Sequence, residues 1–259
     1  MKILLFGKNG QVGWELNRSL LPLGEVVALG RDEADFSKPE TLRKIIREIK
    51  PDVIVNAVAY TAVDKAEEEE ELAIVINGVS PGVLAEEAKI LKALLVHYST
   101  DYVFDGTKTS PYTEEDLPNP LNAYGRSKLV GEKAITESGC KNFIFCTSWV
   151  YVARGLNVVN TILRLASERD ELKVVADQFG APTSAELIAD VTALVLCSVA
   201  KKTTLSEQAS GIYHLVAAGE TSWYGYTQSI LAAAINNNFK AKVLPGQIGS
   251  ITTADYPLP

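Results

Sequence analysis

Lys2-Ile3-Leu4-Leu5-Phe6-Gly7-Lys8-Asn9-Gly10-Gln11-Val12-Gly13 is the stretch that decides the fold of this chain. Lys2 to Phe6 is a short apolar run, suited to a parallel strand buried on both faces. Gly7, Gly10 and Gly13 follow, and Val12, Leu16, Leu20 and Leu21 then fall on one side of a helix. The stretch therefore reads as strand, glycine-rich turn and helix. A helix that begins there offers free N–H groups and a positive dipole end to a phosphate. Gly7 allows the sharp turn, Gly10 the close approach of a pyrophosphate, and Gly13 tight packing of helix on strand. The spacing is G-x-x-G-x-x-G and not the commoner G-x-G-x-x-G. Its place directly after the first strand favours a dinucleotide site over a structural turn.

Further strands and helices alternate beyond it. Residues 26–29, 53–55, 94–98, 143–146 and 172–175 read as strands. Residues 39–50 and 82–92 read as helices, and another helix runs through the acid block at 67–71, taken as a solvated face. Such alternation predicts an α/β, doubly wound parallel sheet, Rossmann-like, with right-handed crossovers. Residues 1–150 are expected to form an NAD(P)-binding domain, with a contribution from about 170–200. Residues 151–259 are expected to form mainly a smaller C-terminal substrate lobe, assembled from 156–169, 176–185 and 211 onward.

Composition agrees with a globular enzyme. The chain has 259 residues, 47% of them hydrophobic, enough for a large core in one domain with a small lobe. No apolar run reaches membrane-spanning length and no signal-peptide pattern opens the chain. Cys140, Cys146 and Cys197 are unpatterned, so reduced thiols and a cytoplasmic setting are expected. A net charge of −7 argues against nucleic acid as a partner, though not against an anionic small molecule.

In doubly wound sheets ligands bind beyond the carboxyl ends of the strands. Polar and aromatic residues recur there: Gly30-Arg31 and Asp35-Phe36 after the second strand, Asn56 to Thr61 after the third, Ser99 to Phe104 after the fourth, Thr147 to Tyr151 after the fifth. Tyr124 and Lys128 then stand four apart on a predicted helix, one turn from each other. An ammonium at that spacing can lower a phenol pKa from its usual ~10 and suit the tyrosine to proton exchange with an alcohol or carbonyl oxygen. His97 lies in a strand and reads as a satisfied core residue.

Together, Gly7-x-x-Gly10-x-x-Gly13, Ser99-Thr100-Asp101-Tyr102-Val103-Phe104, Tyr124-x-x-x-Lys128 and Thr147-Ser148-Trp149-Val150-Tyr151 resemble the extended short-chain dehydrogenase/reductase superfamily. Residues 51–57, 61–67 and 177–183 extend the likeness, closest within it to the dTDP-4-dehydrorhamnose reductase family. The resemblance implies hydride delivery by a nicotinamide cofactor to the C4 ketone of a dTDP-linked 6-deoxyhexose. It implies catalysis by Thr100, Tyr124 and Lys128, with Tyr124 as proton donor and Lys128 lowering its pKa and holding the nicotinamide ribose. Gly7, Gly10, Gln11, Val12, Gly13, Asp35, Phe36, Ala59, Tyr60, Thr61, Tyr98, Tyr124 and Lys128 are the implied cofactor contacts, and Thr100, Asp101, Tyr102 and Trp149 the substrate contacts.

Where NAD-selective folds usually end the second strand in an acid, this chain has Gly30 and then Arg31. Arg31 can pair with a 2′-phosphate, so NADPH is the expected cofactor, with NADH tolerated. Glu15, Glu186 and Asp190 match acidic positions that the resemblance implies for Mg²⁺ at a homodimer contact. Family members continue beyond the position of Pro259 with an Arg-Pro segment and a helix, so the resemblance implies a shorter C-terminus here. Two other readings compete. One is a nucleotide-sugar epimerase or dehydratase, disfavoured because Tyr102 follows Thr100-Asp101. The other is a non-catalytic NADP-binding subunit, such as the regulatory β subunit of methionine adenosyltransferase.

Overall fold

The computed structural model describes residues 1–155, 157–200 and 209–256. The chain divides into two compact units, Met1–Thr147 with Glu186–Leu215, and Ser148–Ala185 with Val216 onward.

The first unit is built on six parallel strands: β1 (Lys2–Phe6), β2 (Glu25–Leu29), β3 (Val53–Asn56), β4 (Leu94–Thr100), β5 (Asn142–Thr147) and β6 (Gly211–His214). Their spatial order is β6-β5-β4-β3-β1-β2. β3 and β5 are buried along their whole length, which explains why they read as continuous apolar runs: helices cover both faces of such a sheet. Helices α1 (Gln11–Ser19), α2 (Pro39–Ile49), α3 (Ser80–Leu91), α4 (Ala123–Ser138) and α5 (Ala185–Ala200) accompany it. Leu4, Phe6, Ile54, Leu84, Leu95 and Ile144 are among the residues of the core between strands and helices.

Two elements depart from expectation. Lys173–Val175 is a strand, but it pairs with Gly249–Ile251 in the second unit. The sixth place in the main sheet goes to Gly211–His214, which pairs with β5. The acid block carries no single helix. Val63–Ala66 and Glu70–Ile74 are short helices, and a π-helical turn at Val75–Val79 joins the second to α3. π-turns of this kind are frequent at functional sites, and this one presents Asn77 to the loop after β3 and to α4.

In the second unit, helices Val158–Glu168 and Trp223–Asn236 pack around Ile162, Ala166, Leu172, Leu231, Val243 and Ile248. Asn157 and Ser222 cap these helices by accepting from the N–H groups of Asn160 and Gly225. Leu156 and Pro257 to Pro259, which figured in the expected lobe and C-terminus, lie outside the described residues.

Candidate active site

The glycine loop has the geometry of a phosphate cradle. Gly7 takes φ +91°, a left-handed conformation that favours glycine. A Cβ on Gly13 would stand 2.0 Å from the Gly7 carbonyl oxygen, so only glycine lets α1 approach β1 this closely. The Gly10 N–H donates to Gly7 O at 2.9 Å and closes the turn. Gly10 is the N-cap of α1, makes no side-chain cap, and is followed by no acid in the first turn. The helix N-terminus thus keeps its positive end open to an anion. Beside it the Gln11 side-chain oxygen is buried without a hydrogen-bond partner, an acceptor suited to a ligand hydroxyl or amide. Both features fit a dinucleotide.

At the end of β2 the Gly30 N–H donates to Glu33 Oε2 at 2.6 Å, and Lys8 from the glycine loop grips the same carboxylate at 2.6 Å. Those two contacts hold the Glu33 carboxyl below its ordinary pKa. Arg31 is exposed. Asp35 is tied to Ser37 through both the hydroxyl and the N–H. Phe36 is 3% exposed and its ring meets Phe6 edge-on at 5.4 Å, so its side chain is part of the core.

After β3, Asn77 clamps the backbone of Tyr60, accepting from its N–H at 2.8 Å and donating to its carbonyl at 3.0 Å. The same amide donates to Ser127 of α4 at 2.9 Å. Ala59 on this loop is half-buried and Thr61 exposed. Tyr60 donates its hydroxyl proton to Glu69, Glu67 accepts from the Ala123 N–H, and Glu70 pairs with Arg126. The acid block is therefore more than a solvated face. It anchors the first turn of the helix that carries Tyr124 and Lys128, whose N-cap is Asn122 accepting from Gly125.

Thr100 closes β4, opposite Thr147 of β5. Its hydroxyl donates to Asp101 at 3.1 Å and accepts from the Tyr102 N–H at 3.2 Å, and it lies close enough to the Tyr124 phenol to act on it. Tyr102 packs edge-on against Tyr124 at 5.5 Å and is 41% exposed. Burial is the largest influence on the phenol and raises its pKa, with the neighbouring Thr100 hydroxyl pulling it back. Burial likewise pushes Asp101 up to about 6. The Thr147 hydroxyl is buried with no partner, a polar atom at a strand end that the sequence marked without giving it a role.

Lys128 is 1% exposed. Its Nζ donates to Tyr98 O at 2.6 Å and meets His97 Nε2 at 3.2 Å. Burial lowers its pKa to about 8. Lys128 thus lies one turn from Tyr124, but its hydrogen bonds run to β4 and not to the phenol. Tyr98 contributes its carbonyl here, and its hydroxyl is engaged with Thr192 of α5 at 2.9 Å.

In the second unit Trp149 takes φ +47°, rare for a bulky residue, and stacks on Trp223 with ring centroids 3.5 Å apart. Tyr226 and Tyr151 complete an aromatic cluster. Trp223 and Tyr226 were not foreseen, although Trp223-Tyr-x-Tyr226 directly after the capping Ser222 is the signal that could have found them. A Cβ on Gly180 would stand 2.6 Å from the Trp149 indole, so the ring lies flat against that backbone.

Within a single chain the three acids expected to hold Mg²⁺ at a homodimer contact do not gather into a metal cluster. Arg18 lies between Glu15 and Asp190, at 3.3 and 3.0 Å, and its guanidinium supplies the positive charge a cation would bring. Among the described residues no cluster of three or more His, Cys, Asp or Glu side chains could hold a metal ion.

Comparison with known proteins agrees with this geometry. The family described as the RmlD substrate binding domain matches residues 1–259. A dTDP-4-dehydrorhamnose reductase of Burkholderia thailandensis is 54% identical over 259 residues, 100% of this chain and 87% of that protein. The protein of the same name from Escherichia coli K12 is 48% identical, over 100% of this chain and 86% of its own length. Among solved structures, a Clostridium acetobutylicum dTDP-4-dehydrorhamnose reductase superposes with a TM-score of 0.88 at 37% identity, over 100% of this chain and 86% of that one. A Bacillus anthracis dTDP-4-dehydrorhamnose reductase in complex with NADP gives 0.86 at 32% identity, over 99% and 86%. The chain belongs to the RmlD family, which it shares with these bacterial dTDP-4-dehydrorhamnose reductases.

Proposed function

We propose that the chain reduces the C4 ketone of dTDP-4-dehydro-L-rhamnose to dTDP-L-rhamnose with a nicotinamide cofactor. The observation that carries this reading is the convergence of Thr100, at the carboxyl end of β4, with the buried Tyr124 phenol, and Lys128 one turn along α4. When bound, the cofactor supplies the hydride. The chain's own residues then manage the oxygen. Thr100 donates a hydrogen bond to the carbonyl, which strengthens as negative charge develops there. Tyr124 gives its phenolic proton to that oxygen and completes the alcohol. A phenol held above its ordinary pKa keeps its proton until a stronger base, the nascent alkoxide, comes within reach.

Gly7, Gly10, Gln11, Val12 and Gly13 are assigned to the pyrophosphate, and Asp35, Ala59, Tyr60 and Thr61 to the rest of the cofactor. Lys128 is assigned to the nicotinamide ribose. Arg31 is assigned to a 2′-phosphate, which makes NADPH the preferred form and NADH a tolerated one. The reading is supported by Glu33, whose charge is offset by Lys8 and the Gly30 N–H and so opposes a phosphate weakly. Asp101, Tyr102 and Trp149 are assigned to the sugar nucleotide. The proposed setting is cytoplasmic, in keeping with free thiols at Cys140, Cys146 and Cys197. A second copy of the chain is the proposed partner, supported by Trp14 and Leu194, exposed on α1 and α5 at 45% and 67%; sedimentation of a monomer would remove it.

The test is NADPH consumption by the purified chain with and without the keto-sugar nucleotide. Oxidation that requires the sugar and yields dTDP-L-rhamnose is expected. NADPH binding without turnover would instead point to a non-catalytic subunit, and an isomerised sugar with no net oxidation to an epimerase.

A further inference from the structure

A buried chain of polar groups runs behind Lys128 from β3, and the reduction chemistry above does not use it. The Asn56 side chain is 1% exposed and His97 is fully buried. The Val58 N–H donates to Asn56 Oδ1 at 3.1 Å, which fixes the orientation of the amide. The Asn56 NH₂ group therefore faces His97 Nδ1, at 3.0 Å. An amide nitrogen can only donate, so Nδ1 must be the accepting nitrogen of the ring. A neutral imidazole carries one proton, and it then resides on Nε2. That nitrogen stands 3.2 Å from Lys128 Nζ. An ammonium has no lone pair to receive an N–H; a neutral amine does, while still donating to Tyr98 O.

We infer that Asn56 and His97 are positioning residues which set the protonation of Lys128 by turning an imidazole N–H, not a lone pair, toward its nitrogen. The inference rests on the proposed reductase reading for its catalytic consequence, but the arrangement itself is a property of the fold. The ring does not relieve the conflict by charging, because burial and the nearby lysine hold the His97 pKa well below its ordinary value. Other groups facing Lys128 act in the opposite sense. Glu132, one turn further along α4, and Cys146 on β5 both favour the ammonium. Glu132 is itself engaged by the Ser99 hydroxyl, and its own carboxyl is raised by burial. Lys128 is thus balanced between an acid and an N–H donor, which allows it to change protonation as Tyr124 loses and regains its proton.

The chain has two histidines, His97 and His214, so ¹⁵N-histidine labelling with His214→Gln for assignment reads the ring directly. Long-range proton–nitrogen correlation spectra of the unmodified protein between about pH 7 and 9 are expected to show the Nε2–H tautomer for His97. An Nδ1–H tautomer or an imidazolium would overturn the inference. That readout needs no turnover, so it stands or falls apart from the proposed reaction. The second arm is His97→Gln, whose carboxamide oxygen can accept from an ammonium. The alkaline limb of its kcat/KM profile is expected to move up by about one pH unit. A fall in rate with the limb unmoved would mean a merely structural role and would also overturn it.

Discussion

Of the charged side chains buried in the first unit, Glu87 and Lys128 are the most completely enclosed, and the fold treats them in opposite ways. Glu87 on α3 is 0% exposed and is clasped by Arg47 at 2.8 and 2.7 Å, with Arg43 at 3.3 Å. The Arg47 hydrogen bond holds its carboxyl below the ordinary value despite burial. Lys128 on α4 is 1% exposed, yet among the described residues no carboxylate lies within ion-pairing distance of it. Its neighbours are a carbonyl and an imidazole, and burial lowers its pKa to about 8. A forked guanidinium keeps a buried carboxylate charged and fixes two helices together. Neutral partners leave a buried ammonium near the point of losing its proton. The first arrangement serves stability, and the second sacrifices stability for a group that can change charge.

Substitutions can break that contrast, and the largest effect falls on catalysis. Tyr124→Phe is expected to retain cofactor binding and lose roughly 10²- to 10⁴-fold in turnover, the usual range for a general acid. Steady-state kinetics checks it, and near-normal turnover would remove Tyr124 from the role. Lys128→Met should separate the two properties, losing most activity while gaining stability. With a folded pKa near 8 against an ordinary lysine value of 10.5, stability rises with pH through that window and is lowest below about 8. Removing the group should stabilise the protein at neutral pH by up to about 3 kcal/mol, read from denaturant midpoints. Glu87→Gln should do the reverse, costing roughly 1.5–3 kcal/mol with activity retained.

Asp101 sharpens the comparison further. Its carboxyl is raised to about 6, so the folded state holds a proton that the unfolded chain releases at lower pH. Stability therefore falls as pH rises from about 4 to about 6, and Asp101→Asn should flatten that slope by at most about 3 kcal/mol. At the other extreme, Arg164→Ala breaks an exposed pair with Glu168 four residues on. It should change stability by less than about 0.5 kcal/mol, which thermal melts can bound.

These contrasts also mark how far the sequence could be read. β1, the glycine turn and α1 were legible because their signals are local: an apolar run, a glycine spacing and a helical period. Thr100, Tyr124 and Lys128 were legible because strand ends and a one-turn spacing place them. Gly211–His214 was not recognised as the sixth strand, since a short, half-exposed edge strand has no strong pattern. The anchoring of α4 by Glu67 and Glu70 was hidden for another reason. Those contacts span 56 residues, and an acidic run alone looks like a solvated face. Likewise, only the fold reveals that His97 lies between Asn56 and Lys128, that Phe36 is turned into the core, and that Arg18 bridges two of the acids assigned to a metal.

The most direct measurement follows hydrogen from cofactor to sugar. The purified chain, given dTDP-4-dehydro-L-rhamnose and NADPH carrying deuterium at the transferable position of the nicotinamide, should yield dTDP-L-rhamnose with deuterium on C4. A product with no deuterium at C4, or NADPH left unoxidised beside the sugar nucleotide, would contradict the account.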